Sequence, residues 1–186
     1  MSDKDTMEQY FHSIAAALDG ALAHGERYAA TFEGEDTDFV RMNHGKVRQP
    51  GSVSQRYLGV RLIQGNRHAE HRQSMTGDLT ADIASATAAL KALRNAAGDA
   101  HPDPHLMLPD RVASSSVARD GGLPPSADVV DRILDAARGS DLVGIYAAGP
   151  VFRGFADSSG QRNWHSATTF NLQWSLYHRA DKAVKS

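Results

Sequence analysis

Apolar residues recur at spacings of three and four in three segments of the chain, a pattern typical of helices with one buried stripe. The first predicted helix covers residues 6–24. The second covers residues 78–97, with Gly98 at its end. The third begins at Ser126, a residue type favoured at helix N-caps, and ends before Gly139.

Between these helices, apolar and polar residues alternate, which predicts strands. In the first third of the chain, we expect turns at residues 34–36, 43–45 and 65–66 to separate successive strands. The last third predicts strands before a turn at residues 157–160. The clearest alternation in the sequence then begins at Trp164 and extends through Leu176.

The order of these elements is helix, strands, helix, helix, strands. It predicts an α+β fold in which helices pack on one face of a mostly antiparallel sheet. We expect the loop at 100–124 to cross the sheet, so that residues 1–186 form a single domain. An alternative is that this loop separates two subdomains.

Composition narrows the class of protein. The chain has 186 residues, a net charge of -2 and no cysteine, which excludes disulfides, thiolate metal ligands and a cysteine nucleophile. The charge gives no support for direct nucleic-acid binding, and a basic cluster is interpreted as a solvated sheet face: Arg41, Lys46, Arg48, Arg56 and Arg61. No signal peptide or membrane-spanning segment is evident, so we expect a soluble, cytoplasmic protein.

The segment "GNRHAEHRQSM" at 65–75 brings two histidines and a glutamate close together in the sequence. A zinc-peptidase helix requires two histidines on one helical face beside a glutamate. Here His68 and His71 lie in a predicted strand and point to opposite faces, while Glu70 and Arg72 share the face of His68. We interpret the segment as a solvated edge strand and predict no metal or catalytic residue in it.

Other chemical candidates are weaker. A loop metal site could combine His101, Asp103 and His105, although the intervening prolines exclude a helix there. Ser158 and Ser159 belong to a predicted turn, without the strained elbow of a nucleophilic serine. Three further residues are predicted to lie in the core beneath the helices: Trp164, Phe170 and Trp174. The sequence thus assigns no catalytic, cofactor-binding or metal-binding residue.

Two segments, taken together, resemble the N-terminal domain of the TldD/PmbA family, which includes proteins called TldE and modulators of DNA gyrase. The first is "YAATFEGEDTDFVRMNHGKVRQPGSVSQRYLGVRLIQGNRHAEHRQS". The second is "DLVGIYAAGPVFRGFADSSGQRNWHSATTFNLQWSLYHRADKAVKS". Each motif alone is moderately specific, but their order and spacing are considerably more so.

This resemblance implies a zinc metallopeptidase assembly with two domains per subunit. In the family, a His-Glu-x-x-x-His helix and a cysteine hold zinc beyond the region matched here. A TldD-type catalytic subunit pairs with a PmbA-type companion that lacks the zinc motif. The pair degrades unfolded peptides and removes the leader from a microcin precursor. No position of this sequence matches the zinc ligands, so no cofactor is expected in this chain.

The chain reaches Ser186 directly after a long predicted strand. We therefore expect a truncated or naturally split N-terminal domain, inactive alone, that helps to form a peptide-binding cleft or a homo- or heterodimer contact. Two alternatives remain open. One is a standalone module that binds a peptide or protein at its sheet edge. The other is an independent enzyme with its site in the 100–116 loop.

Overall fold

Residues 3–179 and 182–186, which this computed structural model describes, form three helices and seven strands. In chain order, the elements are α1 (Asp3–Ala21), β1 (Glu26–Asn43), β2 (Lys46–Gln64), β3 (Arg67–Ser74), α2 (Leu79–Asp99), β4 (Ser115–Arg119), α3 (Ser126–Ala136), β5 (Asp141–Asp157), β6 (Arg162–Arg179) and β7 (Lys182–Lys185). The predicted α+β fold class is confirmed. Within the described residues, no helix combines the length and apolar character needed to cross a bilayer.

All seven strands belong to one sheet. Its strand order is β3-β2-β1-β5-β6-β4, and β7 also pairs with β6. β2 and β3 are antiparallel, with a register that runs from Tyr57↔Ser74 to Gln64↔Arg67. β3 is therefore the last strand at one end of the sheet.

The four longest strands each pass through two compact units of the chain. Unit 1 consists of Met1–Gly34, Gln55–Ala118 and Phe152–Ser166, and unit 2 consists of Glu35–Ser54, Arg119–Val151 and Ala167–Ser186. β1, β2, β5 and β6 contain 18, 19, 17 and 18 residues, respectively. Strands of this length exceed the usual five or so residues and can contribute to two separate cores.

In unit 1, the apolar stripes of α1 and α2 pack on one face of the strands. The strand residues that they cover alternate, as the sequence predicts: Tyr28, Ala30, Phe32, Leu58, Val60 and Leu62. The aromatic side chains of Phe11, Phe32, Phe152 and Trp164 form the centre, with ring centroids 5.4 to 6.1 Å apart. Burial of each such side chain stabilises the fold by roughly 1.5–3 kcal/mol.

In unit 2, the 11-residue helix α3 covers a smaller core. Its members are Met42, Val130, Ala137, Leu142, Tyr146 and Ala148. On β6, Trp174 is only partly buried against this core, and Phe170 is 64% exposed. The prediction that Phe170 belongs to the core is wrong, because the short α3 does not cover the whole apolar row of β6. Trp164, in unit 1, is buried as predicted.

A buried carboxylate at the start of α2 connects the two helices of unit 1. Asp82 is 2% exposed and accepts hydrogen bonds from the Thr76 and Gly77 main-chain N–H groups, at 3.0 and 2.8 Å. The Tyr10 hydroxyl of α1 donates to the same carboxylate at 2.5 Å. Burial raises the pKa of Asp82, but these donors outweigh it, so the pKa lies below its usual value. The ionised form is therefore a structural part of the core.

An ion pair holds α2 beside the end of α1. Arg94 donates to both carboxylate oxygens of Glu26, at 2.8 and 3.0 Å, and to the Ala21 carbonyl at 2.7 Å. The hydrogen bonds from Arg94 lower the pKa of Glu26 to about 2. Because the Glu26 side chain is only 4% exposed, this pair is far less screened than a surface pair.

The predicted turns at 43–45, 65–66 and 157–160 are all confirmed. His44 and Gly45 have φ values of 51° and 64°, the left-handed conformations that a tight two-residue hairpin requires. This geometry allows β1 to reverse directly into β2.

The turn predicted at 34–36 is wrong, because β1 continues through it. Gly34 lies inside the strand, and a Cβ there would be 3.3 Å from the Phe152 ring. Gly51 is likewise inside β2, and the Phe39 ring occupies the space of its missing side chain. Both glycines make room for aromatic packing rather than for a change of direction.

Three further details differ from the sequence-based predictions. Pro125, not Ser126, is the N-cap of α3, and no side chain caps that helix. The serine-rich segment expected to be a loop contributes β4, because it pairs with an edge of β6. The strands predicted before the turn at 157–160 form a single strand, β5, which passes through Gly149.

Candidate functional site

The outer edge of β3 has main-chain donors and acceptors that could bind another chain. Met75 donates its main-chain N–H to the Arg56 carbonyl at 2.9 Å, one residue pair beyond the Tyr57↔Ser74 end of the β2–β3 pairing. In an antiparallel pair, every second residue bonds to the neighbouring strand. The odd-numbered residues of β3 therefore bond to β2, and the main-chain groups of His68, Glu70 and Arg72 point away from it.

Within the described residues, no strand pairs with this outer side of β3. The 100–114 loop covers only its beginning, where the Asp103 N–H donates to the Asn66 carbonyl at 2.8 Å. From His68 onward, the edge presents a row of main-chain donors and acceptors to solvent. Such a row can accept another extended chain.

Side chains of β3 alternate between the two faces of the sheet, as predicted. Ala69 packs against the core of unit 1. On the opposite face, Glu70 pairs with Arg61 at 2.8 Å. His68 Nε2 lies 3.4 Å from a carboxylate oxygen of Asp103. The histidine-rich segment of the sequence is therefore divided between two faces and two sets of contacts.

The face opposite the helices of unit 1 forms a shallow depression of about 380 Å³. Ion pairs lie beside it, namely Arg61 with Glu70 and Arg72 with Glu33 at 3.0 Å. The Arg72 guanidinium also lies over the Tyr57 ring, 4.3 Å from its centroid. Exposed pairs of this kind contribute at most about 1 kcal/mol each, so their arginines and carboxylates can exchange partners with a ligand at small cost.

Small residues form the floor of this depression. Ala29, Thr31 and Gly59 line it, together with the ring of Phe155. A Cβ on Gly59 would lie 2.7 Å from Thr31 Oγ1, so the two strands are closer here than a larger residue allows. The result is a narrow floor with charged side chains around it and the open β3 edge beside it.

The metal site suggested for His101, Asp103 and His105 does not form in the described structure. Asp103 accepts a hydrogen bond from the His105 main-chain N–H at 2.8 Å, and this bond is the main reason that the pKa of Asp103 is lowered. Its other oxygen faces His68, and His101 is exposed. Across residues 3–179 and 182–186, no three His, Asp or Glu side chains come together in a way that could hold a metal ion.

Ser158 and Ser159, in the turn at 157–160, have a structural role. One oxygen of Asp157 accepts hydrogen bonds from the Ser159 main-chain N–H at 2.8 Å and from its hydroxyl at 2.5 Å. The Ser158 hydroxyl accepts from the Tyr28 N–H at 3.3 Å. His165, the nearest histidine in the sequence, is exposed. These contacts stabilise the β5–β6 hairpin and form no nucleophile–base pair.

The fold is the one found in TldE and in candidate modulators of DNA gyrase. TldE from Thermococcus kodakarensis has a TM-score of 0.68 to this chain at 11% identity, over 95% of this chain. A candidate gyrase modulator from Thermotoga maritima gives 0.62 at 9% identity over 96%. One from Bacteroides thetaiotaomicron gives 0.60 at 14% over 100%. The resemblance to the TldD/PmbA family is thus confirmed at the level of the fold.

By sequence, the chain matches no protein-family model and no curated protein. The chain spans 41–43% of the length of the three solved structures. Residues 180–181, which fall within the second family-like segment of the sequence, lie outside the described residues.

Proposed function

We propose that residues 1–186 act as the N-terminal domain of a TldD/PmbA-type peptidase subunit, in a cytoplasmic assembly that degrades unfolded peptides. The observation that carries this proposal is the fold shared with TldE over 95% of this chain and 42% of that one. In this role, the domain contributes to the peptide-binding cleft or to pairing with a partner subunit.

The open edge of β3 supports a role in holding peptide. A bound segment would pair with the main-chain groups of His68, Glu70 and Arg72, which point away from β2. Main-chain pairing is independent of the peptide's sequence, whereas side-chain pockets provide selectivity. An edge beside a charged, small-residue floor therefore suits unfolded peptides of varied sequence.

The chemistry of peptide hydrolysis would come from elsewhere in the assembly. Zinc requires three or four His, Cys, Asp or Glu ligands around one point. The chain has no cysteine, and its described residues offer no cluster of three such ligands. These residues do not fit the zinc site that the family implies, so we assign them no step of the reaction.

A second candidate is a standalone module that binds a peptide or protein without any peptidase. The same β3 edge supports it, because strand addition alone can hold a partner. The two functions differ in what accompanies this chain in the cell. Only the first requires a zinc-peptidase sequence, either in the same polypeptide or in a subunit that copurifies with it.

Two experiments test the proposed function together. Sequencing of the coding region past Ser186 should reveal a further domain, with a His-Glu-x-x-x-His motif in a catalytic subunit or without it in a companion subunit. A pull-down with the natural protein should then recover a peptidase partner. If the frame stops at Ser186 and the pull-down recovers no peptidase, the standalone module is the better account.

A further inference from the structure

Unit 2 carries a basic depression on the sheet, in addition to the charged face of unit 1. Its volume is about 570 Å³. Of the twelve residues that line it, three are cationic and none is acidic. The cations come from three strands: Arg41 from β1, Arg48 from β2 and Lys185 from β7.

None of these three cations pairs with a carboxylate among the described residues. In unit 1, Arg61 and Arg72 each pair with a glutamate at 2.8 and 3.0 Å. Arg41 has only the ring of Phe39, 5.7 Å from its guanidinium carbon. Arg41 and Arg48 lie on the neighbouring strands β1 and β2, where like charges destabilise a sheet, so this arrangement favours an anion that would neutralise them.

The floor and walls of the depression indicate which kind of anion fits. Val143 and Ile145 provide an aliphatic floor, and Asn43, Gln173 and Ser175 provide neutral donors and acceptors. A peptide segment has aliphatic side chains and main-chain amides that match both. A nucleic acid is less suitable, because its phosphate backbone would need a longer track of cations than the three of this depression.

From this combination we infer that the basic depression of unit 2 binds an acidic peptide segment. Arg41, Arg48 and Lys185 pair with its carboxylates, and guanidinium groups do so with two parallel hydrogen bonds. The inference rests on residues of unit 2 alone, and it does not require the proposed function to be correct.

The test is fluorescence anisotropy with the purified chain and labelled decaglutamate at low salt. The double variant Arg41→Gln/Arg48→Gln removes two of the three cations. Its matched control, Lys91→Gln/Arg111→Gln, makes the same change in net charge at two exposed residues of unit 1. Circular dichroism compares the folds, and the single variant Lys185→Gln provides an independent comparison at the end of the described chain.

We expect the wild-type chain and the control to bind decaglutamate equally well, with affinity that falls as salt is added. The double variant should bind about tenfold more weakly or worse, and Lys185→Gln should lie between the two. Equal binding by the double variant and the wild type would overturn the inference, as would no binding by the wild type. Tighter binding of a ten-residue thymidine oligonucleotide than of decaglutamate would replace the peptide with nucleic acid.

Discussion

A Cβ atom on Gly149 would lie 2.2 Å from the carbonyl oxygen of Asp36. The contact is between β5 and β1 in unit 2, and its other atom belongs to the main chain, which cannot rotate away. We therefore expect Gly149→Ala to lower the free energy of unfolding by about 3 kcal/mol. Urea denaturation measures the change.

Gly98→Ala is the matched control for this substitution. Gly98 lies in α2, and a Cβ there would meet no atom within 4 Å. Because alanine is the better helix former, this variant should gain roughly 0.5–1 kcal/mol. A Gly149→Ala variant as stable as the wild type would show that β1 and β5 are not in such close contact.

The buried carboxylate of Asp82 gives a second prediction. Asp82→Asn places an amide group opposite the N–H donors of Thr76 and Gly77, so one donor loses its acceptor. We expect a loss of about 2–4 kcal/mol in the free energy of unfolding. Tyr10→Phe removes a single hydrogen bond and should cost about 1–2 kcal/mol. Thermal and urea unfolding of both variants compare them, and an Asp82→Asn variant more stable than Tyr10→Phe would contradict this account.

The Glu26–Arg94 pair predicts how stability depends on pH. The folded protein has a Glu26 pKa of about 2, below the usual 4.5, so the pair stabilises the fold fully above pH 4.5. This contribution, up to ~3 kcal/mol, should decrease as the pH falls from 4.5 towards 2. Glu26→Gln should therefore differ most from the wild type at neutral pH.

Urea denaturation of both proteins between pH 2 and pH 7 provides the comparison. Arg61→Gln is a useful control, because its partner Glu70 is 66% exposed and the pair contributes little at any pH. A constant difference between wild type and Glu26→Gln across this range would mean that Glu26 is not held as a carboxylate by Arg94.

The open edge of β3 can be tested by removing one N–H group. The Glu70 N–H points away from β2, so Glu70→Pro should leave the β2–β3 pairing intact and eliminate one donor of the edge. We expect its affinity for a labelled unfolded peptide to fall about tenfold. Glu70→Ala loses the same pair with Arg61 but keeps the N–H, and should bind within about twofold of wild type.

Fluorescence anisotropy with a casein-derived peptide measures both variants. The outcome that would exclude strand addition at β3 is equal affinity of the proline and alanine variants. Weaker binding by both variants to the same degree would instead assign the interaction to the glutamate side chain.

Local pattern was sufficient to predict the helices, the three hairpin turns and the long strand after Trp164. Each of these depends on residues near one another in the sequence. The turn predicted at 34–36 was wrong because Gly34 makes room for the ring of Phe152, more than 100 positions away. β4 was missed for a related reason: its strand conformation depends on pairing with β6 and not on its serine-rich composition.

The candidate site depends even more on distant contacts. The sequence indicated that His68, Glu70 and Arg72 share a face, and this was confirmed by their contacts. The interpretation of 65–75 as an edge strand is confirmed too, since β3 is the last strand at one end of the sheet, but the sequence could not indicate that β5 pairs with β1. Nor could it bring Asp103 to His68 across 35 positions.

The role proposed for this chain is that of one domain in a peptidase assembly. Its most direct test is mass spectrometry of the native protein purified through a mild affinity tag, which reads both the full length of the polypeptide and its stoichiometric partners. We expect a longer chain or a bound subunit whose sequence includes a zinc-peptidase domain. Recovery of a 186-residue chain with no peptidase sequence attached or bound to it would contradict the account.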